Sequence, residues 1–253
     1  MIEHTFQILP SVGAKKEMGL WESGIRTWDD FLGSECGGCL KPALKEKGDP
    51  ILLQAEELLD DGESRLLADM IPKAEHWRMF DHFRDESAYL DIETDGLSRD
   101  ALVTVVTVHR KSGTYTLTEG IDLSSETLAE ALDGVKMLVT YNGSCFDVPV
   151  LRNSFPEVDL DMPQYDLRFA SRKVGYSGGL KPLEIELGIT RADEIEGVDG
   201  AMAVRLWKQW VRHDDQDALD ILTEYNRADT VNLEVIADII YRKLVTEHAG
   251  YKW

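Results

Sequence analysis

The stretch YLDIETDG, residues 89–96, decides how the rest of the chain reads. On an extended strand, side chains i and i+2 share a face, so Asp91 and Glu93 project together while Leu90 and Ile92 project to the other side. Leu90 and Ile92 suit burial, and Thr94-Asp95-Gly96 is a turn signal. The segment therefore predicts a buried strand that carries two carboxylates together near its end. Such a pair calls for a cation; read alone, the same D-x-E also describes a solvated strand end before a turn.

Further runs rich in β-branched and aromatic residues follow at 102–109 and 114–118, separated by Lys111-Ser112-Gly113, and make three consecutive strands with 89–94. Ser124, with Thr127 and Glu130, opens a short helix that ends at Asp133-Gly134, and 136–141 is a fourth strand stopped by Asn142-Gly143. From Phe146 onward the pattern is mostly helical. The longest periodic segment is about 215–246, with Leu219, Leu222, Ile236, Ile239, Ile240 and Leu244 on helical spacing and Asn226 as a point of break or kink. Upstream of a seam at 84–88, residues 15–24 and 54–83 also have helical spacing, and Leu58, Leu59, Leu66, Leu67 and Met70 form one apolar stripe. The expected organisation is a helical region at 1–86 and an α/β domain at 87–253, its mixed sheet covered by helices on both faces.

With 43% hydrophobic and 29% charged residues among 253, the chain has material for a sizeable core, which excludes a disordered protein. No run approaches the roughly 18 apolar residues of a membrane span. The first residues lack a secretory pattern, so a cytoplasmic location and no membrane partner are expected. Three cysteines build no disulfide framework. Cys36 and Cys39 have the C-x2-C spacing of a zinc knuckle or redox pair, but no second pair stands near. Metal binding there is left open, with His76, His82 and Cys145 as distant candidates, and Cys145 reads more simply as a small buried filler.

Charge sets a harder constraint. Lys and Arg number 27 against 47 Asp and Glu, a net −20, and such a surface repels polyanions at long range. A nucleic-acid partner would need a bound cation, screening salt or a local basic patch. The interval RFASRKVGYSGGLK at 168–181 carries four positive charges and no acid. Arg168, Arg172, Lys173 and Lys181 suit phosphate contacts and Tyr176 suits base stacking, although an ordinary flexible surface loop has the same composition.

Two more acids complete the set. In TYNGSCFD, 140–147, a strand and a tight turn lead to Asp147 at a helix start, where the macrodipole alone would favour a carboxylate. In YNRAD, 225–229, a spacing of four puts Tyr225 and Asp229 on one helix face.

Together, Asp91-x-Glu93, Phe146-Asp147 and Tyr225-x3-Asp229 resemble the three motifs of the DEDD 3′–5′ exonucleases, tyrosine-bearing subclass. LDIETDGL, TYNGSCFD, YDLRFASRKVGYSGGLKPLEIELGITR and YNRADTVNL are similar to the ribonuclease H-like exonuclease domain of bacteria and archaea, over about residues 87–245. The resemblance implies a ribonuclease H-like mixed sheet flanked by helices. It implies two divalent cations held by Asp91, Glu93, Asp147 and Asp229, with Tyr225 orienting the attacking water, and a substrate that is a single-stranded 3′ end of nucleic acid. Hard oxygen donors without His or Cys suit Mg²⁺ or Mn²⁺. Two alternatives stay open: an internal-cleaving ribonuclease on the same fold, and a non-catalytic nucleic-acid-binding adaptor. At the N-terminus, ILPSVGAKKE (8–17) followed by LWESGI (20–25) resembles a helix-hairpin-helix with Ser11 in place of the usual glycine, which favours a packing element over a nucleic-acid clamp.

Overall fold

The computed structural model describes residues 1–38, 40–96, 98 and 100–248. The chain forms two compact units, Met1–Arg84 and Asp85–Trp253.

The first unit contains helices α1 (Ala14–Glu22), α2 (Trp28–Gly33), α3 (Pro42–Asp60) and α4 (Ser64–Asp69). α3 starts at Pro42, well before residue 54 where the apolar spacing places it, and it runs through Pro50. A proline in a helix interior removes one backbone hydrogen bond and reads as a stop in sequence. Here the burial of Gly48, Leu52, Ala55 and Leu59 on one face keeps the helix whole. Gly48 is required by close packing, since a Cβ there would stand 2.8 Å from the Phe31 ring. The turn at 61–63 breaks the expected apolar stripe: Leu59 and Leu67 are buried, whereas Leu66 is 53% exposed.

Glu17 organises this unit from inside. Its buried carboxylate accepts hydrogen bonds from Thr5 Oγ1 (2.8 Å), the Phe6 amide (2.8 Å) and Gln7 Nε2 (3.0 Å), and pairs with buried Arg78 at 3.0 Å. In the segment that resembles a hairpin in sequence, Ser11 is left-handed (φ 62°) and Gly13 caps α1; upstream of it stands a single 3-10 turn, Ile2–His4, and no full helix. Cys36 is exposed, and Cys39 lies outside the described residues, so the C-x2-C metal question does too.

The second unit is a five-stranded mixed sheet flanked by helices. Strands β1 (Ser87–Thr94), β2 (Val103–Arg110), β3 (Gly113–Thr118), β4 (Met137–Thr140) and β5 (Gln164–Asp166) lie in the order β3-β2-β1-β4-β5. β1, β2 and β3 are antiparallel, and β4 and β5 extend the sheet in parallel with β1. β5 has no counterpart in the sequence expectation, because three residues are too few to show a period of two. The helices are α5 (Ser125–Ala131), α6 (Asp147–Ser154), α7 (Leu167–Lys173), α8 (Leu180–Leu187), α9 (Gly200–His213) and α10 (Gln216–His248).

Leu90 and Ile92 enter one core with Leu128, Leu138, Val148 and Leu151. Val105 enters another with Ile195, Leu206, Trp207, Leu219, Leu222 and Tyr225. α10 packs on β1 and β2 and is one unbroken helix of 33 residues. Asn226, read as a break, is instead fully buried inside it. Nor is the basic interval a loop throughout: its first six residues, 168–173, belong to α7 and its last two begin α8. No helix among the described residues is long and apolar enough to cross a membrane.

Candidate metal centre

β1 pairs with β2 along nearly its whole length but with β4 only from Ser87 to Tyr89. Its later residues therefore run past the end of β4, with one edge open. The register shifts between Glu93 and Thr94, a bulge of the kind that re-aims side chains at strand ends. Asp91, Glu93 and Asp229 each bring one carboxylate oxygen into a group whose members lie within 4.8 Å of one another.

Asp147 comes to the same place by another route. It is the first residue of α6 and buried, and its Oδ1 accepts the Ile92 amide at 3.2 Å, satisfying a β1 donor beyond the end of β4. The loop that delivers it is tightly determined. Asn142 is left-handed (φ 68°), and a Cβ on Gly143 would fall 2.5 Å from Thr140 Cβ. Asp166 accepts from the amides of Asn142 (2.8 Å), Ser144 (3.2 Å) and Arg168 (3.0 Å) and from the Ser144 hydroxyl. β5 thus serves the site by holding this loop through its last residue.

Burial is the chief force on the acids, and each carboxylate adds to it. Burial and the charges of Asp147, Asp229 and Glu93 push Asp91 well above the usual range, opposed by a hydrogen bond from Asn226. Burial, Asp229 and Asp147 push Glu93 up to about 8, against the pull of Lys181. Burial raises Asp147 to about 7, although its own amide and that of Ile92 oppose it. Burial likewise raises Asp229 to about 6, against Arg191. Acids held this way are short of positive charge, and an all-oxygen donor set fits a hard divalent cation.

Tyr225 is buried beside this group and its hydroxyl is hydrogen-bonded to Asp229. Burial, then the charges of Asp229, Glu93 and Asp91, push the phenol far above its ordinary value, so it stays protonated and acts as a donor. Lys181 Nζ and the Arg191 guanidinium lie 5.1 and 5.6 Å from the centroid of its ring.

The basic interval is only partly at the site. Lys181 reaches it. Arg168 is half-buried and bonds Asn142 Oδ1 in the loop before Asp147. Arg172 is exposed; burial raises the Tyr141 phenol against the charges of Arg168 and Arg172, and the Tyr141 hydroxyl donates to the Gly178 carbonyl at 2.9 Å. Lys173 is half-buried. Tyr176 departs from its expected role: the ring is buried, Lys243 Nζ stands 4.4 Å from its centroid, and the two side chains hydrogen-bond, so no face is open for a base. Phe169, 43% exposed, is the open aromatic of the interval. Cys145, expected to be buried, is exposed.

Four polar residues at the site escaped the sequence reading. Asn226 donates to Asp91, and Arg191 pairs with both Asp229 and Glu184, whose other oxygen accepts from Asn232. Asn226 lies within the YNRAD motif, and its place beside Tyr225 is a signal that could have pointed to it. The Glu184–Arg191 pair spans the end of α8 and has no regular spacing that would reveal it.

A family model described as RNase_H superfamily matches residues 88–241, more than half of the chain. No curated protein matches the chain. Among solved structures, the family B DNA polymerase from the hyperthermophilic archaeon Pyrobaculum calidifontis is similar over 58% of this chain, with 16% identity and a TM-score of 0.44. The similarity covers 24% of the polymerase chain.

Proposed function

The chain belongs to the RNase_H superfamily, and from that premise we propose that its second unit is a nuclease that hydrolyses phosphodiester bonds with the help of divalent Mg²⁺ or Mn²⁺. The observation that carries this reading is the convergence of Asp91, Glu93 and Asp229, one carboxylate oxygen each, within 4.8 Å. Asp147, whose charge helps raise Asp91, completes the set that would hold two ions. When bound, such ions lower the pKa of water and stabilise charge on the attacking and leaving oxygens of a phosphoryl displacement.

The residues divide the remaining work. Asp91 and Glu93 come from a strand, so their spacing is rigid. Asp229 comes from a helix clamped on that strand, and Asp147 from a helix start fixed by Asp166. Tyr225 keeps its proton, so its role is to orient water through the hydroxyl and not to take a proton from it. Lys181 and Arg191 add positive charge where a phosphodiester has to approach an acidic surface. The order Asp91-x-Glu93, Asp147, Tyr225-x3-Asp229 supports the finer reading of a 3′–5′ exonuclease of the tyrosine-bearing subclass that acts on single-stranded ends.

Linear and circular single strands of one sequence, with Mn²⁺ or with EDTA, test both levels. The expected result is stepwise loss of mononucleotides from the 3′ end of the linear strand, no cutting of the circle, and no activity in EDTA or for Asp91→Asn. Cutting of the circle would replace exonuclease by endonuclease. Full turnover in EDTA would overturn the metal-dependent reading itself.

A further inference from the structure

Arg191 is held in an unusual way for a surface-derived cation. Its Nε and Nη2 donate to Glu184 Oε2 at 2.8 and 2.5 Å, and Nη2 also pairs with Asp229 Oδ1. Glu184 is itself buried and fixed by Asn232 Nδ2 at 2.7 Å. The side chain of Arg191 is 10% exposed, and Nη1 is buried with no hydrogen-bond partner among the described residues.

A guanidinium is a planar fork of five donors with no acceptor, and it is permanently charged. Two of its nitrogens lock the plane, which leaves the two N–H groups of Nη1 pointing from a fixed position next to Asp229. Buried donors are nearly always satisfied, and for a guanidinium the matching acceptors are carboxylate and phosphate oxygens. Four of the nearby carboxylates already have partners: Glu184 and Asp229 take Nη2, Asp91 takes Asn226, and Asp147 takes Ile92.

We propose that Arg191 binds the substrate, donating from Nη1 to a non-bridging oxygen of the phosphodiester held at the Asp91–Glu93–Asp229 cluster. The inference rests on the nuclease reading and adds to it a named phosphate-binding residue. Glu184 and Asn232 act through Arg191, as positioning residues that keep its plane fixed. A second consequence has the opposite sign. A guanidinium against Asp229 competes with any divalent cation for that carboxylate, so removing it should help the metal while it harms the substrate.

The test compares wild type, Glu184→Gln, Arg191→Lys, and Arg191→Met in the Glu184→Gln background, where position 184 carries no carboxylate stripped of its guanidinium and Asp229 keeps the Tyr225 hydroxyl. Three quantities are read: Mn²⁺ affinity by calorimetry without nucleic acid, binding of a labelled oligothymidylate in Ca²⁺, and KM and kcat in Mn²⁺. For the Met double variant we expect Mn²⁺ binding equal to wild type or tighter by up to about fivefold. Oligothymidylate binding should weaken about tenfold or more, and kcat should fall about 100-fold. Arg191→Lys, which keeps the charge and loses the fork, should bind Mn²⁺ as wild type does and the oligothymidylate as weakly as the Met variant. Unchanged oligothymidylate binding in the Met double variant overturns the proposal, as does a joint fall of Mn²⁺ and nucleic-acid affinity, which marks a purely structural role. A wild type that binds Mn²⁺ and oligothymidylate but hydrolyses nothing overturns the nuclease reading, and the binding arm still decides the place of Arg191.

Discussion

Nδ2 of Asn226 stands 2.7 Å from Oδ2 of Asp91, joining the long helix α10 to strand β1 at the centre of the acidic cluster. This contact holds one oxygen of the most crowded carboxylate in a defined direction, and it works against the repulsion that raises Asp91.

Replacing Asn226 by Asp would turn that donor into another acid. We expect Asn226→Asp to melt well below wild type in EDTA and to recover most of the loss in Mn²⁺, because a cation relieves the added repulsion. Asn226→Ala should lose about 1.5–3 kcal/mol, the usual value of a hydrogen bond to a charged group, with less recovery. Thermal melts of the three proteins in both buffers measure this. Equal melting temperatures for wild type and Asn226→Asp in EDTA would remove Asn226 from the site.

The raised acids link stability to pH. Glu93 at about 8, Asp147 at about 7 and Asp229 at about 6 all stand above their ordinary values near 4, so the folded state binds more protons than the unfolded one. As far as these groups decide it, stability in EDTA is therefore greatest below about pH 4 and declines as pH rises from there through 8. Saturating Mg²⁺ should flatten the decline, and Asp91→Asn should raise the melting temperature in EDTA at pH 8. A melting temperature in EDTA that is level from pH 5 to 8.5 would contradict the coupling.

Tyr225→Phe keeps the ring beside Lys181 and removes only the hydroxyl. Turnover should drop by about tenfold or more through lost orientation of water, while Mn²⁺ affinity stays near that of wild type. Single-turnover rates at saturating Mn²⁺ are the measurement, and an unchanged rate would make the tyrosine structural.

Gly143→Ala places a Cβ 2.5 Å from that of Thr140, a clash that the loop can relieve only by moving. Since this loop leads directly into Asp147, we expect a stability loss of about 1–3 kcal/mol together with weaker divalent binding. Melting and Mn²⁺ calorimetry should change together; a stable variant with normal Mn²⁺ affinity would show that Asp147 does not depend on the loop.

Changing Arg172 and Lys173 together to Ala should flatten the salt dependence of single-strand binding in Ca²⁺ by roughly 0.7 for each phosphate that is no longer neutralised. Tyr176→Phe should leave that binding unaltered, because the ring is buried under Lys243. An unaltered slope in the double variant would place the strand away from α7.

The parts of the fold that are legible in sequence have short-range signals. β1 to β4 are short runs rich in β-branched and aromatic residues set off by turn residues, and α5 shows its cap in Ser124 and Thr127. The acids are legible because residue type and spacing together carry chemistry, and the structure brings Asp91, Glu93, Asp147, Tyr225 and Asp229 to one place. What stays hidden depends on contacts distant in sequence. β5 is too short to have a pattern, α3 runs through a proline, and Asn226 looks like a helix breaker because its partner is 135 residues away. Tyr176, buried, and Cys145, exposed, are misread for the same reason, since the neighbours of neither residue in sequence reveal its packing.

The continuity of α10 has one more consequence. Tyr225, Asn226 and Asp229 fall within little more than one turn of a single 33-residue helix, so they share one rotational register. A single residue inserted between Gln216 and Glu224 would turn all three by about 100°, away from β1 at once. The site is therefore robust to drift in length in the loop before β5, where an insertion disturbs only its surroundings, and intolerant of any change in length in the first turns of its longest helix.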